Sequence, residues 1–406
     1  MSHDFPTRLG FDDALAIVRE VGARHRLETE TVPLRHCHGR ALAADVVAPI
    51  ALPPFDNSAM DGFAVRHADL AGEGVSLALV GEQFAGVATG RAVGTGQGLR
   101  ITTGAPMPEG ADTVVVKEDA RVSGDVVWVP GGMARGTHVR HAGEDVAVGD
   151  TVLHAGERLS PARVSLAASL GLPALAVSRR PTVAVFTSGD ELVEPGLPLQ
   201  PGQIHDSNRE LLMGLLRAEG LEPTAWPRLP DEPRQVEVAL RDAACAFDLV
   251  ITCGAVSAGE KDHIPAVLQR FGEVHFWKVM MKPGMPLLFG GMDRCRFLGL
   301  PGNPVSVLAT WLALGRPLVD AMQGFGEARP AWRARLVAGI EKPHARREFQ
   351  RARLFASDDG VLWADPNPAT GSNRLRAVAD SNALIVVPEG PQSLPAGSAV
   401  EVMVYA

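Results

Sequence analysis

DLVITCGAVSAGEKD at 248–262, MKPGMP at 281–286 and GLPGNPVS at 299–306 together decide the fold of this chain. Leu249-Val250-Ile251-Thr252 is a short apolar run of the kind buried in a parallel sheet. The glycine-bearing loop after it closes on Asp262. That residue is expected to N-cap a helix with Pro265 in its first turn and Gly272 at its end. A strand from Val274 to Met281, the KPGMP turn, a strand from Leu287 and a strand ending in Leu298-Gly299-Leu300 come next. Asn303 then caps, and Pro304 starts, another helix. Two strand–loop–helix crossings thus aim amides and helix N-termini at one sheet edge, with Lys278 and Lys282 between them. In open α/β sheets anions bind at that edge, so the stretch reads as an anion-binding active site.

The lysines point the same way. Of 39 basic residues only five are lysine, Lys117, Lys261, Lys278, Lys282 and Lys342, and three of them fall between 261 and 282. A chain that otherwise uses arginine keeps a compact, rotatable ammonium here. The plainer alternative is a set of solvated strand-edge charges.

Composition narrows the function classes. With 406 residues the chain should form two to four domains, and 46% hydrophobic and 21% charged residues are values of a soluble globular protein. A net charge of −8 argues against a broad nucleic-acid face, so any positive field must be local. Cys37, Cys245, Cys253 and Cys295 form no CxxC pair and suit a reducing compartment. The N-terminus lacks a secretory pattern, and no uninterrupted apolar run reaches membrane length. A cytoplasmic protein without membrane or nucleic-acid partners is expected.

The flanking segments fill in the domains. Apolar spacing from Phe11 to Val21 predicts a helix stopped by Gly22. His36-Cys37-His38 is no metal site, because sequence neighbours point apart. In PPFDNSAMDGFAV (53–65), Asp61 sits in a glycine-flanked turn, as a ligand or as turn chemistry. Short β runs between 75 and 142 predict a small antiparallel domain, in which TGAPMPEGAD (103–112) is an unusually defined loop. Leu159 to Leu170 predicts a helix capped by Ser160 and started by Pro161, so the β domain is inserted between two flanks of one unit.

From Pro181 onward, strands alternate with helices. Thr182 to Phe186 is a strand, SGDE (188–191) its loop, Ser207 to Glu210 a capping box, and Asp231-Glu232-Pro233 the start of a helix to Ala246. This alternation predicts a doubly wound parallel sheet. Asp190, Glu191, Asp231 and Asp262 all fall on its loop edge. Each alone is an ordinary cap; beside two lysines they suggest a Mg²⁺-assisted phosphate site. After Gly324 the chain becomes arginine-rich and β-like, with Arg351 and the Gly371-Ser372 turn as its candidate contacts. The expected division is 1–49 with 145–178, an inserted β domain at 50–144, the α/β domain at 179–325 and a C-terminal β domain at 326–406.

Taken together, PPFDNSAMDGFAV, RITTGAPMPEGADTVV, RHAGED, SGDEL, GQIHDSN, VSAGEKD, KPGMP and GLPGNPVS resemble the MoeA family, the molybdopterin molybdenumtransferases, to which the E domain of gephyrin also belongs. The resemblance implies an α/β multidomain protein. It would have a three-layer, doubly wound molybdopterin-binding domain, an inserted β domain, an N-terminal α/β domain and a C-terminal β domain. It implies insertion of molybdenum from molybdate into adenylylated molybdopterin, with Mg²⁺-dependent release of AMP. It also implies a homodimer with the active site between subunits, a molybdopterin adenylyltransferase upstream and molybdoenzyme maturation partners downstream.

Carried over by motif, Asp61, Thr103 and Asp145 lie on the inserted domain's side of the cleft. Glu191, Asp231 and Asp262 are the acidic and metal-holding residues, and Lys278 and Lys282 the cations. Ser188, Gly189, Gly254, Ser257, Gly259, Pro301, Gly302 and Pro304 would line the cofactor loops, with Arg351 and Ser372 reaching in from the C-terminal domain. Cations on phosphate oxygens and carboxylates that hold metal or orient water are what diphosphate hydrolysis requires. Several positions depart from the family pattern. Met285 replaces a second lysine, Ala255 and Ala258 a glycine and a valine, His263 and Phe63 tyrosines, and Arg376 a serine. A gephyrin-like scaffold or a tungstate-specific paralogue are the alternatives; the retained carboxylates and lysines favour the enzyme.

Overall fold

The computed structural model describes residues 5–230, 232–256 and 263–405. Its largest element is a seven-stranded sheet. In order across it run Thr7–Leu9, Glu273–Val279, Leu288–Met292, Cys295–Leu300, Leu249–Cys253, Val183–Thr187 and Thr224–Ala225. Strand residues alternate between two cores, as a sheet covered on both faces requires. Val183, Val185, Leu249, Ile251, Leu298 and Leu300 pack with the helices Phe11–Arg24, Ser207–Ala218 and the long helix beginning at Pro304. Ala184, Phe186, Val250 and Phe297 pack with Pro233–Ala246 and Ile264–Phe271. The three layers agree with the sequence.

Two details differ. The sheet is mixed, because Leu288–Met292 runs antiparallel to both neighbours. Only Asp293 and Arg294 separate it from the next strand, and a two-residue turn joins antiparallel strands alone. The second concerns residues 7–24, which the sequence grouped with the discontinuous unit. Thr7 and Leu9 pair with Trp277 and Val279, and Phe11, Ala14, Val18 and Val21 enter the sheet's core. Gly22 does not stop that helix, which continues to Arg24. A Cβ there would lie 2.7 Å from the Ala321 Cβ, so the glycine permits close helix–helix contact.

The segments flanking the insertion meet. Thr29–Pro33 pairs with Ala174–Ser178, and Val46–Val47 with Thr151–Leu153, over a core containing Leu42, Leu159, Val164 and Val177. Ser160 accepts the Arg163 N–H and Pro161 opens the helix, as expected. The inserted sheet has six strands and is not wholly antiparallel. Gly74–Gln83 and Gln97–Ile101 run parallel, joined by a loop over 84–96 long enough to bring the chain back.

In the C-terminal domain Arg347–Ala356, Leu362–Pro366, Trp332–Leu336, Ala399–Val404 and Ala383–Val387 form a closed ring, the last pairing with the first. The ring closes on itself, and at its rim Met281–Lys282, from the α/β domain, pairs with Arg347–Glu348.

Candidate active site

The sheet register defines the site. Thr187, Cys253 and Leu300 are level in three adjacent parallel strands, and each begins a loop at the C-terminal edge. These loops are stitched together. The Ser188 N–H donates to the Cys253 carbonyl at 3.1 Å, and the Gly254 N–H to that of Leu300 at 2.9 Å. Gly254 has φ +93°, and a Cβ on it would lie 2.6 Å from Ser188 Oγ. Gly302 approaches the Gly254 Cα across the next gap. Ser188, Gly254, Pro301 and Gly302 therefore converge, and the helix opens behind them at Pro304. Pro304 brings no N–H, and the Val305 N–H donates to Ser372 O, so this helix start is tied to the C-terminal domain.

Lys278 reaches the same edge from the far side of the sheet. Its N–H donates to Leu287 O at 2.8 Å, and its φ of 69° is left-handed, a strained setting for a non-glycine residue. Its ammonium lies 4.5 Å from the Trp277 ring centroid, while the indole N–H of Trp277 donates to Val256 O at 2.8 Å. Trp277 thus carries Lys278 toward the glycine loop. Lys282 has a partner of its own: its Nζ is 2.9 Å from Glu348 Oε1 of the barrel.

Glu191 is exposed and its carboxylate folds over Gly189, where a Cβ would meet Oε2 at 2.6 Å. Asp231, Ser257, Gly259 and Asp262 lie outside the described residues, as do Ala258 and Lys261. The helix that Asp262 was expected to cap begins at Ile264 with His263 at the cap position. Among the described residues no group of three His, Cys, Asp or Glu side chains is placed to hold a metal ion.

Several supporting residues escaped the sequence reading. Arg228 donates to the carbonyls of Gly189, Asp190 and Leu192 and clamps the first loop. The helix N-cap is Asp206 rather than Ser207: its carboxylate accepts from Arg209 N–H and from the Thr187 hydroxyl at 2.6 Å, so it caps and braces the strand end together. Asn208 donates to Gly302 O at 2.6 Å. Asn303, expected to cap through its side chain, instead donates its amide to Ser372 Oγ at 3.0 Å, and Val305 N–H donates to Ser372 O. Arg351 is buried and donates to the carbonyls of Ala369 and Gly371, which holds that turn against the helix start. Burial pushes its guanidinium below the ordinary range. Ser372 therefore meets the helix start, while Arg351 stays buried on the strand Arg347–Ala356 and supports its turn from below.

The inserted domain has its own cluster. Asp61 Oδ1 accepts from Thr103 N–H at 2.8 Å and Thr103 Oγ1 at 2.9 Å, and Lys117 Nζ lies 3.6 Å from Oδ2. The Thr103 donors, helped by Lys117, hold the Asp61 carboxyl below its usual range. Lys117 was the signal the lysine scarcity offered and the motif reading left unused. Asp145 sits at the neck of the insertion, its N–H on Leu52 O and its side chain exposed. The partners of Asp61 all belong to the inserted domain, separate from the loops around Gly254.

Three regions of the chain match known protein families. Residues 9–171 match the MoeA N-terminal region (domain I and II), residues 184–321 a probable molybdopterin binding domain, and residues 333–405 the MoeA C-terminal region (domain IV). A molybdopterin molybdenumtransferase of Haemophilus influenzae is 38% identical over 378 residues, covering 92% of this chain and 93% of that one. Molybdopterin molybdenumtransferase 2 of Mycobacterium tuberculosis is 40% identical over 383 residues, covering 92% and 94%. The crystal structure of the MoeA molybdopterin biosynthesis protein of Pyrococcus horikoshii superposes with a TM-score of 0.83 at 28% identity, covering 98% of this chain and 100% of that one. With its three regions matched in order along the chain, the protein belongs to the MoeA family of molybdopterin molybdenumtransferases.

Proposed function

We propose that this protein acts in molybdenum cofactor biosynthesis by inserting molybdenum from molybdate into adenylylated molybdopterin and releasing AMP. The observation that carries this reading is the convergence of Ser188, Gly254 and Gly302 at one sheet edge, with Lys278 brought toward them by Trp277. Backbone amides and ammonium groups are suited to tetrahedral oxyanions and phosphates, which are what the substrates present. Glu191, with Asp231 and Asp262, supplies the hard oxygen donors that Mg²⁺ prefers, and the ion would neutralise charge on the departing phosphate. The Asp61–Thr103–Lys117 cluster completes the cleft from a second subunit of a cytoplasmic homodimer. The test is to mix the purified protein with adenylylated molybdopterin, molybdate and Mg²⁺, then quantify AMP and cofactor competent to activate an apo-molybdoenzyme. Production of neither would refute the reading.

A further inference from the structure

Lys282 lies on the two-residue strand that leaves the α/β domain and pairs with the barrel, Met281 with Arg347 and Lys282 with Glu348. The Arg347 N–H closes the junction on Met280 O at 3.0 Å. Glu348 is only 7% exposed, so its charge is costly unless compensated. Three groups surround it. Lys282 Nζ is 2.9 Å from Oε1. His344 Nε2 is 3.0 Å from Oε2, but without hydrogen-bond geometry, and both of its ring nitrogens are buried without a partner. Burial pushes that imidazole below its ordinary value despite the carboxylate, which leaves it neutral at pH 7. Lys342, also buried, donates to the carbonyls of His344, Arg346 and Gly390 and so has no hydrogen left over. Lys282 is the cation that directly balances Glu348.

We propose that Glu348 is a positioning residue for the anion site: held by the C-terminal barrel, its carboxylate fixes the Lys282 ammonium at the sheet edge and shares its charge. The idea rests on the reading of Lys282 as an anion contact. An ammonium with a permanent carboxylate partner binds an incoming oxyanion less tightly than a free one. That limits product retention and ties the site's charge to correct docking of a second domain. Removing the carboxylate's charge should then tighten anion binding while loosening the geometry needed for turnover.

The experiment compares Glu348→Gln, Glu348→Asp, Lys282→Ala and the Glu348→Gln/Lys282→Ala pair, after checking that each variant melts cooperatively. In Glu348→Gln, the molybdate KM should fall about 5-fold, the size of one weak charge contact near the surface. Its kcat should also fall, and Lys282 should react several-fold faster with an amine-selective reagent, scored by peptide mass spectrometry. Glu348→Asp, whose carboxylate is one methylene short of the ammonium, should recover only part of kcat and label Lys282 at a rate between those of the wild type and Glu348→Gln. In the Lys282→Ala background, Glu348→Gln should leave molybdate affinity, read by equilibrium binding, unchanged, because contacting residues that act as a unit are not additive, while Tm rises as the unpaired buried carboxylate is removed. Equal effects of Glu348→Gln with and without Lys282 would overturn the proposal, as would unchanged labelling of Lys282. If Glu348→Gln does not fold, labelling in Glu348→Asp decides, since the shortened carboxylate must expose the amine. If the wild type makes no AMP, the functional reading fails, while the labelling arm still decides whether Glu348 holds Lys282.

Discussion

Gly254→Ala isolates the loop junction at the centre of the site. Two costs can be worked from the geometry. The backbone stands at φ +93°, outside the range comfortable for an L-residue, which costs about 1–2 kcal/mol. The new methyl would lie 2.6 Å from Ser188 Oγ, whereas ordinary contact starts at 3.4 Å, so Ser188 must retreat by 3.4 − 2.6 = 0.8 Å. A hydroxyl can rotate away, which keeps the second cost at the low end of overpacking, about 1 kcal/mol. The sum is about 2–3 kcal/mol in an α/β domain of ordinary size, or a fall in Tm of roughly 4–12 °C.

Activity should suffer more than stability. In the proposed site the Ser188 and Gly254 amides, bonded to Cys253 O and Leu300 O, form the floor for substrate, and relief of the φ strain at residue 254 shifts them. Misplacements near 1 Å cost up to ~100-fold in rate, and AMP release should fall ~10- to 100-fold. Calorimetry and single-turnover AMP release measure the two effects separately. The pair Gly254→Ala/Ser188→Ala removes the hydroxyl and should recover the packing part of Tm, leaving the backbone part. A single variant with wild-type Tm and turnover would refute the reasoning, because neither the strain nor the contact would then exist.

Gly22→Ala should destabilise by about 1–3 kcal/mol in urea denaturation, since its methyl would sit 2.7 Å from Ala321 Cβ between packed helices; an unchanged midpoint would show that the helices part freely. Asp248 is pushed up by burial, but Arg179 and Thr182 hold it below its ordinary value, so its stabilisation is present above about pH 4 and is lost as pH falls through the lower folded-state value. Asp248→Asn should therefore lower Tm at pH 7 and flatten the acid limb, and parallel acid limbs in the two proteins would count against the pairing. Mixing Asp61→Ala with Lys282→Ala subunits should restore activity, because in a heterodimer with shared sites one site carries both lesions and the other none. No recovery despite subunit exchange shown by mass spectrometry would place each site within one chain.

What could be read from the chain, and what could not, follows the range of the interaction. Buried strands such as Val183–Thr187 and Leu249–Cys253 are apolar because both faces are covered, so the three layers were legible in local pattern. Ser160 and Pro161 were legible because a cap and its helix are adjacent. The same rule misassigned the cap at Ser207. There the winner, Asp206, is fixed by a hydroxyl from a distant strand, Thr187, which no local signature contains. The loops SGDE and PGNP announced the site, but the residues that set its geometry did not, because Arg228, Asn208, Trp277 and Glu348 act across the fold. Lys282 shows the consequence. Scarcity of lysine marked it as special, and the sequence offered an incoming anion as the reason. The structure adds a carboxylate from another domain, so the ammonium there has a structural partner whatever anion it meets. The Lys282 ammonium has three donors, of which the Glu348 contact takes one and leaves two, whereas a guanidinium would lock into a planar bidentate pair with the carboxylate and aim its remaining donors in that fixed plane.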